Sequence, residues 1–185
     1  MPTVFISGSI KIKNLHPRFV ERISKIVSEK MDVVVGDANG ADTSIQYELF
    51  NQLAQNVTVF CTGDKPRNNI GEWTVRRVQS SAKPGTREFF GAKDKEMAVQ
   101  ADYGLMLWDT ASTGTLNNVF ELLKAGKKSV VFINKDQRFI NVKEPSDILT
   151  LVEAMSDGAK SKAERKIGLS SKVEAITNEQ FAFSI

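Results

Sequence analysis

"VVVGDANGAD", Val33 to Asp42, and "DTASTGT", Asp109 to Thr115, each join an apolar run to a run with helical spacing. The apolar run before the second stretch is Tyr103 to Trp108. Short apolar runs that alternate with helical patterns are typical of buried parallel strands. Ligands of open parallel sheets bind at the carboxyl ends of the strands, where the strand order reverses. The two glycine turns therefore predict an α/β fold and the position of its binding site.

The rest of the chain alternates in the same way. Strands are predicted at 3–8, 32–37, 57–61, 103–109 and 129–133, and helices at 16–31, 43–54, 115–126 and 144–155. Right-handed crossovers then give a five-stranded, mainly parallel sheet in the order 3-2-1-4-5, with helices on both faces in a three-layer α/β domain. Ser7-Gly8-Ser9 should face Asp109–Thr115 across one crevice, because the order reverses between the first and fourth strands.

The chain length indicates one well-cored domain. Its 185 residues, of which 41% are hydrophobic, predict a domain over 1–157 and a tail or helix over 158–185, where Phe181 and Phe183 would dock. The segment 62–97 is too long and polar for a simple connection, and we expect it to fold over the crevice as an inserted basic loop. An edge strand at 72–79 fits within it. The alternative for each of its cations is a solvated position on the surface.

Composition narrows the classes of function. Lys and Arg number 25 and Asp and Glu 22, and this net charge of +3 argues against nucleic acid as a partner. The single Cys61, which is expected in the core, excludes an internal disulfide. We find neither a signal-like start nor an apolar run of about 18 residues, so the expectation is a cytoplasmic protein that does not enter a membrane. His16 is expected to cap a helix, and no metal-ligand cluster is evident, so Mg²⁺ would come only with a phosphate ligand.

The glycine turns indicate an anionic ligand. Gly36 and Gly40 permit a close approach of backbone or ligand, and the free amides of a following helix favour phosphate or carboxylate. Gly114-Thr115 repeats the arrangement. Asp42 would cap a helix or contact a ligand hydroxyl, and Asp37 and Asp109 would form turns or contact ribose or Mg²⁺. The predicted ligand-binding residues are Ser7, Gly8, Ser9, Gly36, Asp37, Gly40, Asp42, Arg76, Arg87, Lys93, Asp109, Gly114, Thr115 and Asn118.

Three stretches in order resemble the SLOG superfamily of Rossmann-like nucleotide-ligand proteins, which includes the LOG phosphoribohydrolases, DprA and the YpsA-like proteins. "GDANGAD" resembles the G-x-A-x-G-x-D turn of the DprA and YpsA branches. "KDKEMAVQAD" resembles the LOG stretch R-K-x-x-M with its later aspartate, through Met97 and Asp102. "TASTGTLNN" resembles P-G-G-x-G-T-x-x-E at Gly114 and Thr115. The resemblance covers 3–133 and implies a Rossmann-like domain, a nucleotide or nucleotide-derived ligand, and pairing into a homodimer or larger homo-oligomer.

The departures from the family concern catalysis. Lys93 and Asn118 stand where LOG enzymes have the arginine and glutamate that act on the ribose. The nucleophile of the related nucleoside deoxyribosyltransferases also falls on Asn118, and an amide is neither a base nor a glycosyl acceptor. The sequence therefore favours a protein that senses or sequesters a nucleotide. The alternative is a LOG-like hydrolase or deoxyribosyltransferase that cleaves an N-glycosidic bond with Glu121 as substitute. DprA-like binding of single-stranded DNA is a third hypothesis, disfavoured by the weak net charge.

Overall fold

The computed structural model describes residues 1–182 and the side chains of residues 1–178, so Phe183 and the side chain of Phe181 lie outside the described part. The strands are β1 (Thr3–Gly8), β2 (Asp32–Gly36), β3 (Val57–Thr62), β4 (Thr74–Val78), β5 (Tyr103–Trp108), β6 (Lys128–Ile133) and β7 (Arg138–Val142). The helices are α1 (Pro17–Ser28), α2 (Ala41–Asn51), α3 (Arg87–Gln100), α4 (Thr113–Lys124), α5 (Ile148–Glu153), α6 (Asp157–Ile167) and α7 (Leu169–Ala182), with a 3-10 turn at Pro145–Asp147.

The strands form one mainly parallel sheet in the order β4-β3-β2-β1-β5-β6-β7. The five predicted strands occupy its centre in the predicted order. The prediction of five strands in total was wrong, because β4 and β7 extend the two edges. β4 lies within the segment 72–79 that fitted an edge strand. β7 returns antiparallel to β6 after a four-residue turn, Asn134–Gln137, a connection that parallel strands never make, so the alternating βα pattern did not reveal it.

Residues 62–97 do not form the predicted loop. The segment contains β4 and most of α3, which packs in the helical layer. The apolar pattern of α3 is weak, because Gly91 interrupts it and its only buried residues among the described side chains are Lys93, Met97 and Ala98. The sequence of α3 therefore shows little helical periodicity of apolar residues, and no helix was predicted there.

The sheet has a hydrophobic core on each face. Successive residues of β1 point to opposite sides, so that Ile6 packs with Phe19 of α1 and Ile45 of α2, whereas Phe5 packs with Phe120 of α4. The first face is covered by α1 and α2. The second is covered by α3, α4 and the helices that follow β7. This arrangement confirms a three-layer α/β fold.

The C-terminal segment packs on the second core. Ala163 of α6 and Leu169 and Ile176 of α7 are buried there, and Gly168 ends α6 in the left-handed conformation with φ +61. The division of the chain into 1–157 and 158–185 stays a prediction. Within the described residues, no helix is both long and apolar enough to cross a membrane.

Two local predictions are confirmed. His16 caps α1 by accepting a hydrogen bond from the Arg18 amide, and Pro17 occupies the first turn. Cys61 is fully buried at the end of β3.

Candidate functional site

Polar side chains fill the space between the carboxyl ends of β1 and β5. The Ser9 hydroxyl lies 3.1 Å from Asp109 Oδ1 and 3.3 Å from Thr115 Oγ1, and the Asp109 amide donates back to Ser9 Oγ. Asp109 Oδ1 also accepts the amides of Ala111 and Ser112 at 2.9 and 2.6 Å. Of the two roles predicted for Asp109, the structure therefore shows the turn-forming one.

The glycines of the β2 turn are required by close packing. Gly40 has φ +82, and a Cβ atom there would overlap the backbone carbonyl of Ile10. A Cβ atom on Gly36 would overlap the Asp42 carboxylate and lie 2.7 Å from Lys93 Nζ. Both glycines make room for the protein's own groups, so their presence alone does not indicate a ligand.

Asp42 lies in the first turn of α2, whose capping residue is Gly40. Its carboxylate accepts hydrogen bonds from the Ser7 hydroxyl at 3.3 Å and from the Ala38 amide at 3.4 Å. The side chain is buried, with 4% of the residue exposed. Asp42 thus ties β1 to the β2 turn rather than capping the helix as predicted, because α2 already begins at Ala41.

Five ionisable residues form a charge cluster beneath the β2 turn, called the buried charge cluster after its buried members Asp37, Asp42 and Lys93; Asp94 is half-buried and Arg67 is exposed. Arg67 holds Asp37 through two side-chain bonds of 2.7 and 3.1 Å and through its own amide. Lys93 Nζ lies 2.7 Å from Asp94 and 4.0 Å from Asp37. The cluster joins β2, α2 and α3 with the segment that follows β3.

The cluster shifts the pKa values of its members in different directions. Burial raises the pKa of Asp42 to about 6, although the nearby Lys93 charge opposes this shift. Burial would also raise the pKa of Asp37, but the Arg67 hydrogen bonds and the Lys93 charge outweigh it and lower that pKa. Burial would lower the pKa of Lys93, yet the carboxylates of Asp94, Asp42 and Asp37 keep it above its ordinary value. Lys93 is therefore charged and enclosed, and its predicted contact with a ligand stays a prediction.

Asn118 lies on α4 behind β1 with only 3% of its surface exposed. Its Nδ2 donates to Ser7 Oγ at 3.3 Å, and its Oδ1 has no hydrogen-bond partner among the described residues. Buried polar atoms are usually paired, so this unpaired acceptor is an exception, and its burial leaves no surface for a ligand to contact. Asn118 and Ser7 thus lie together, as the sequence predicts.

Glu121 faces a different part of the molecule. It is half-buried on α4. Burial lowers the pKa of Lys172 on α7, and the nearby Glu121 charge only partly opposes this shift. The carboxylate is therefore directed to the C-terminal helical layer, whereas Asn118 contacts Ser7. The structure does not bring the two residues predicted for catalysis to one reacting group.

The first turn of α4, Ser112–Thr115, follows the carboxyl end of β5 and is called the α4 turn; Thr113 and Thr115 are buried, and Gly114 is its exposed residue. Ser112 caps the helix by accepting the Thr115 amide at 3.4 Å. Gly114 is exposed, and the nearest atom to a Cβ placed there would be Ser112 Oγ at 3.9 Å. Arg87, at the start of α3, donates to Thr113 Oγ1 at 2.9 Å, which sets its guanidinium beside the helix N-terminus.

Two arginines of the segment 62–97 differ from the sequence prediction. Arg76, on β4, pairs with Glu96 at 2.7 Å and lies over the ring of Phe60 on β3. The structure does not bring Arg76 to the α4 turn. Arg67, which was not among the predicted binding residues, instead reaches the strand ends through Asp37. A usable signal existed, since Arg67 follows β3 closely and β3 pairs with β2, the strand that Asp37 directly follows.

Among the side chains of residues 1–178, no group of three or more His, Cys, Asp or Glu residues is placed to hold a metal ion.

No family model matches the chain, and no curated protein sequence matches it. This chain is similar to a solved structure of DNA processing protein A from Helicobacter pylori, which is described for its single-stranded DNA binding mode. The TM-score is 0.53 at 18% sequence identity, over 70% of this chain and 64% of that one.

At this identity the similarity concerns the fold alone, and the matched region spans less than two thirds of the Helicobacter protein. It agrees with the DprA branch of the resemblance at the level of the fold. From the low net charge, nucleic acid was not expected as a partner. That expectation is wrong, because a protein with a similar fold binds single-stranded DNA. Local distribution of charge matters more than its sum.

Proposed function

We propose that the chain binds the phosphate of a nucleotide at the α4 turn. The observation that carries the proposal is the exposed Gly114 at the N-terminus of a 12-residue helix, with the Arg87 guanidinium beside it. Helix amides, the helix dipole and an arginine together favour an anion with several oxygen acceptors. The absence of a side chain at Gly114 leaves space for such a group.

The same site supports holding the nucleotide over cleaving it. Asn118 is buried against Ser7 in the place where LOG enzymes have a glutamate, so no carboxylate is offered to a sugar at this position. An amide stabilises neither a glycosyl ester nor the proton transfer that bond cleavage needs. Glu121, the alternative carboxylate, faces α7 near Lys172. A sensor or a sequestering protein is therefore favoured over a LOG-like hydrolase or a deoxyribosyltransferase. A Mg²⁺ ion carried by the phosphate stays a prediction.

Titration calorimetry with nucleoside 5′-monophosphates tests the proposal through a matched pair at one position. Gly114→Asp places a negative charge where the phosphate would sit, whereas the similarly sized Gly114→Asn only fills that space, so the Asp variant should bind about tenfold or more weakly than the Asn variant. Both variants should fold, because a side chain at 114 points into open space. Affinities of both variants that equal that of the unmodified protein would show that no phosphate binds at the α4 turn.

Arg87 provides an independent test. Arg87→Gln removes a charge-assisted hydrogen bond to the phosphate, which is worth about 1.5–3 kcal/mol. The matched control is Arg76→Gln, which loses its surface pair with Glu96 and should leave affinity within about twofold. Release of free base by the unmodified protein, measured in parallel, would replace the binder with the hydrolase alternative.

A second candidate function is binding of single-stranded DNA. The similar fold of the Helicobacter protein supports it, as do exposed cations on the segment 62–97, namely Lys65, Arg77, Lys83, Arg87 and Lys95. Such a surface would contact successive phosphates, so affinity should fall steeply with salt. Free monophosphates would then bind much more weakly than an oligonucleotide.

Fluorescence anisotropy with a labelled oligothymidylate at several salt concentrations separates the two candidates. Lys65→Gln with Lys83→Gln should weaken oligonucleotide binding and flatten its salt dependence by about one to two units of slope. Arg165→Gln with Lys166→Gln on α6 changes net charge equally and is the control. Loss of affinity in both pairs to the same extent would mean that net charge alone, and not this surface, attracts the DNA.

A further inference from the structure

A cavity of about 370 Å³ opens at the amino ends of the parallel strands, at the opposite edge of the sheet from the α4 turn. Its floor is apolar and is formed by Val4, Leu105 and Val130 on three neighbouring strands, with Ile26 of α1 above them. Tyr103 forms one wall and is 50% exposed. The volume is within the usual range of small-molecule sites, about 300–1,000 Å³.

The cavity exists because α1 covers only part of this sheet face. Its residues Arg22, Lys25, Ile26 and Glu29 follow each other at spacings of three, one and three, which places them on one stripe of the helix. Phe19 and Ile23, on the adjoining stripe, pack on the sheet. The stripe that faces the amino ends of β5 and β6 therefore carries charge at its rim, and beside it Val130 is half-buried and Tyr103 is exposed, whereas Val4 and Leu105 are buried beneath.

The rim of the cavity is cationic. Arg22, Lys25, Lys128 and Lys143 line it, against the single acid Glu29, which pairs with Lys25 at 3.7 Å. The excess of positive charge at this one opening equals the formal net charge of the whole chain, +3. Lys128 begins β6 and Lys143 directly follows β7, the antiparallel neighbour of β6, and both are exposed at the mouth of the cavity.

We propose that this cavity binds a small amphipathic anion, with an apolar or aromatic body against Val4, Leu105 and Tyr103 and one carboxylate, sulfonate or phosphate at Lys128 and Lys143. Apolar walls supply affinity through burial of the ligand body, and the few charged groups at one end orient it. A polyanion such as a nucleic acid does not fit this description, because the floor is apolar and offers its phosphates no partner. The site is separate from the α4 turn and does not depend on the nucleotide proposal.

The probe for this site is 8-anilinonaphthalene-1-sulfonate, whose fluorescence rises in apolar surroundings. We expect the full chain to bind one equivalent, and octanoate to displace it more effectively than octan-1-ol, which has a similar body without the charge. Lys128→Glu with Lys143→Glu should weaken probe binding about tenfold or more, since two charges near the anion are reversed. Arg165→Glu with Lys166→Glu on α6 is the control of equal charge change and should have little effect.

Val130→Trp tests the apolar half of the site, because the larger side chain would occupy the cavity and exclude the probe. Binding of a nucleoside monophosphate at the α4 turn should be unchanged in all these variants, which keeps the two sites distinguishable. Probe binding that survives both Val130→Trp and the reversed lysines would overturn the proposal. So would displacement by octan-1-ol as strong as that by octanoate, or a protein partner that needs Lys128 and Lys143 while no small anion binds.

Discussion

Replacing Asp42 by asparagine should stabilise the fold at alkaline pH. The carboxyl group is buried between Ser7 and the Ala38 amide, and burial raises its pKa to about 6 from an ordinary value of 3.8. Asparagine has nearly the same shape, keeps an oxygen acceptor and carries no charge. Lys93 would still pair with Asp94 at 2.7 Å and lie 4.0 Å from Asp37.

The magnitude follows from the linkage between protonation and folding. Between about pH 4 and 6 the folded chain holds the Asp42 proton and the unfolded chain has released it, so stability falls as pH rises through this window. About two pKa units at about 1.4 kcal/mol each correspond to about 3 kcal/mol of lost stability above pH 6. Asp42→Asn should recover most of this free energy of unfolding at pH 8 and almost none at pH 4.

Urea denaturation of both proteins, followed by circular dichroism across this pH range, measures the difference directly. Asp64→Asn, an exposed site on the same segment as Arg67, is the control and should change stability by less than about 0.5 kcal/mol at every pH. A difference for Asp42→Asn that does not vary with pH, or that makes the variant less stable at pH 8, would refute the reasoning that burial dominates the Asp42 charge.

The buried charge cluster and the glycine turns support further predictions. Asp37→Asn should act in the opposite sense to Asp42→Asn, because the lowered pKa of Asp37 stabilises the fold at neutral pH and the variant should be less stable there. The same urea titrations should show this difference shrink as pH falls through the pKa of Asp37 in the folded protein. Gly40→Ala should lower the free energy of unfolding by about 2 kcal/mol or more, because φ +82 and the Ile10 carbonyl both oppose a side chain, and thermal melts should show it. Ser112→Ala should cost about 1 kcal/mol of stability through loss of the α4 cap, and a melting temperature unchanged from that of the unmodified protein would contradict the assigned cap.

Much of the fold was available from local pattern. Short apolar runs separated by helical spacing define the five central strands, and the right-handed crossover rule then orders them as the structure does. β7 was missed because an antiparallel return after a short turn has no βα signature, and α3 because its described buried residues are only Lys93, Met97 and Ala98, too few to form a hydrophobic stripe. Local periodicity reports elements that bury an apolar face, and these two elements depend on neighbours that are distant in sequence.

For the candidate site, too, part of the arrangement was predictable from the sequence and part was not. Sequence alone determined that Ser7, Asp42, Asp109 and Asn118 meet at the strand ends, because each follows or faces a strand whose position in the sheet is fixed by topology. Only the tertiary structure decided that the space between Asp37 and Asp42 is filled by Lys93 and Arg67, whose long side chains arrive from separate elements. The order of strands is encoded by short-range pattern and chirality, whereas the partner of a buried charge is selected by packing and electrostatics across the whole chain, and no local stretch contains that information.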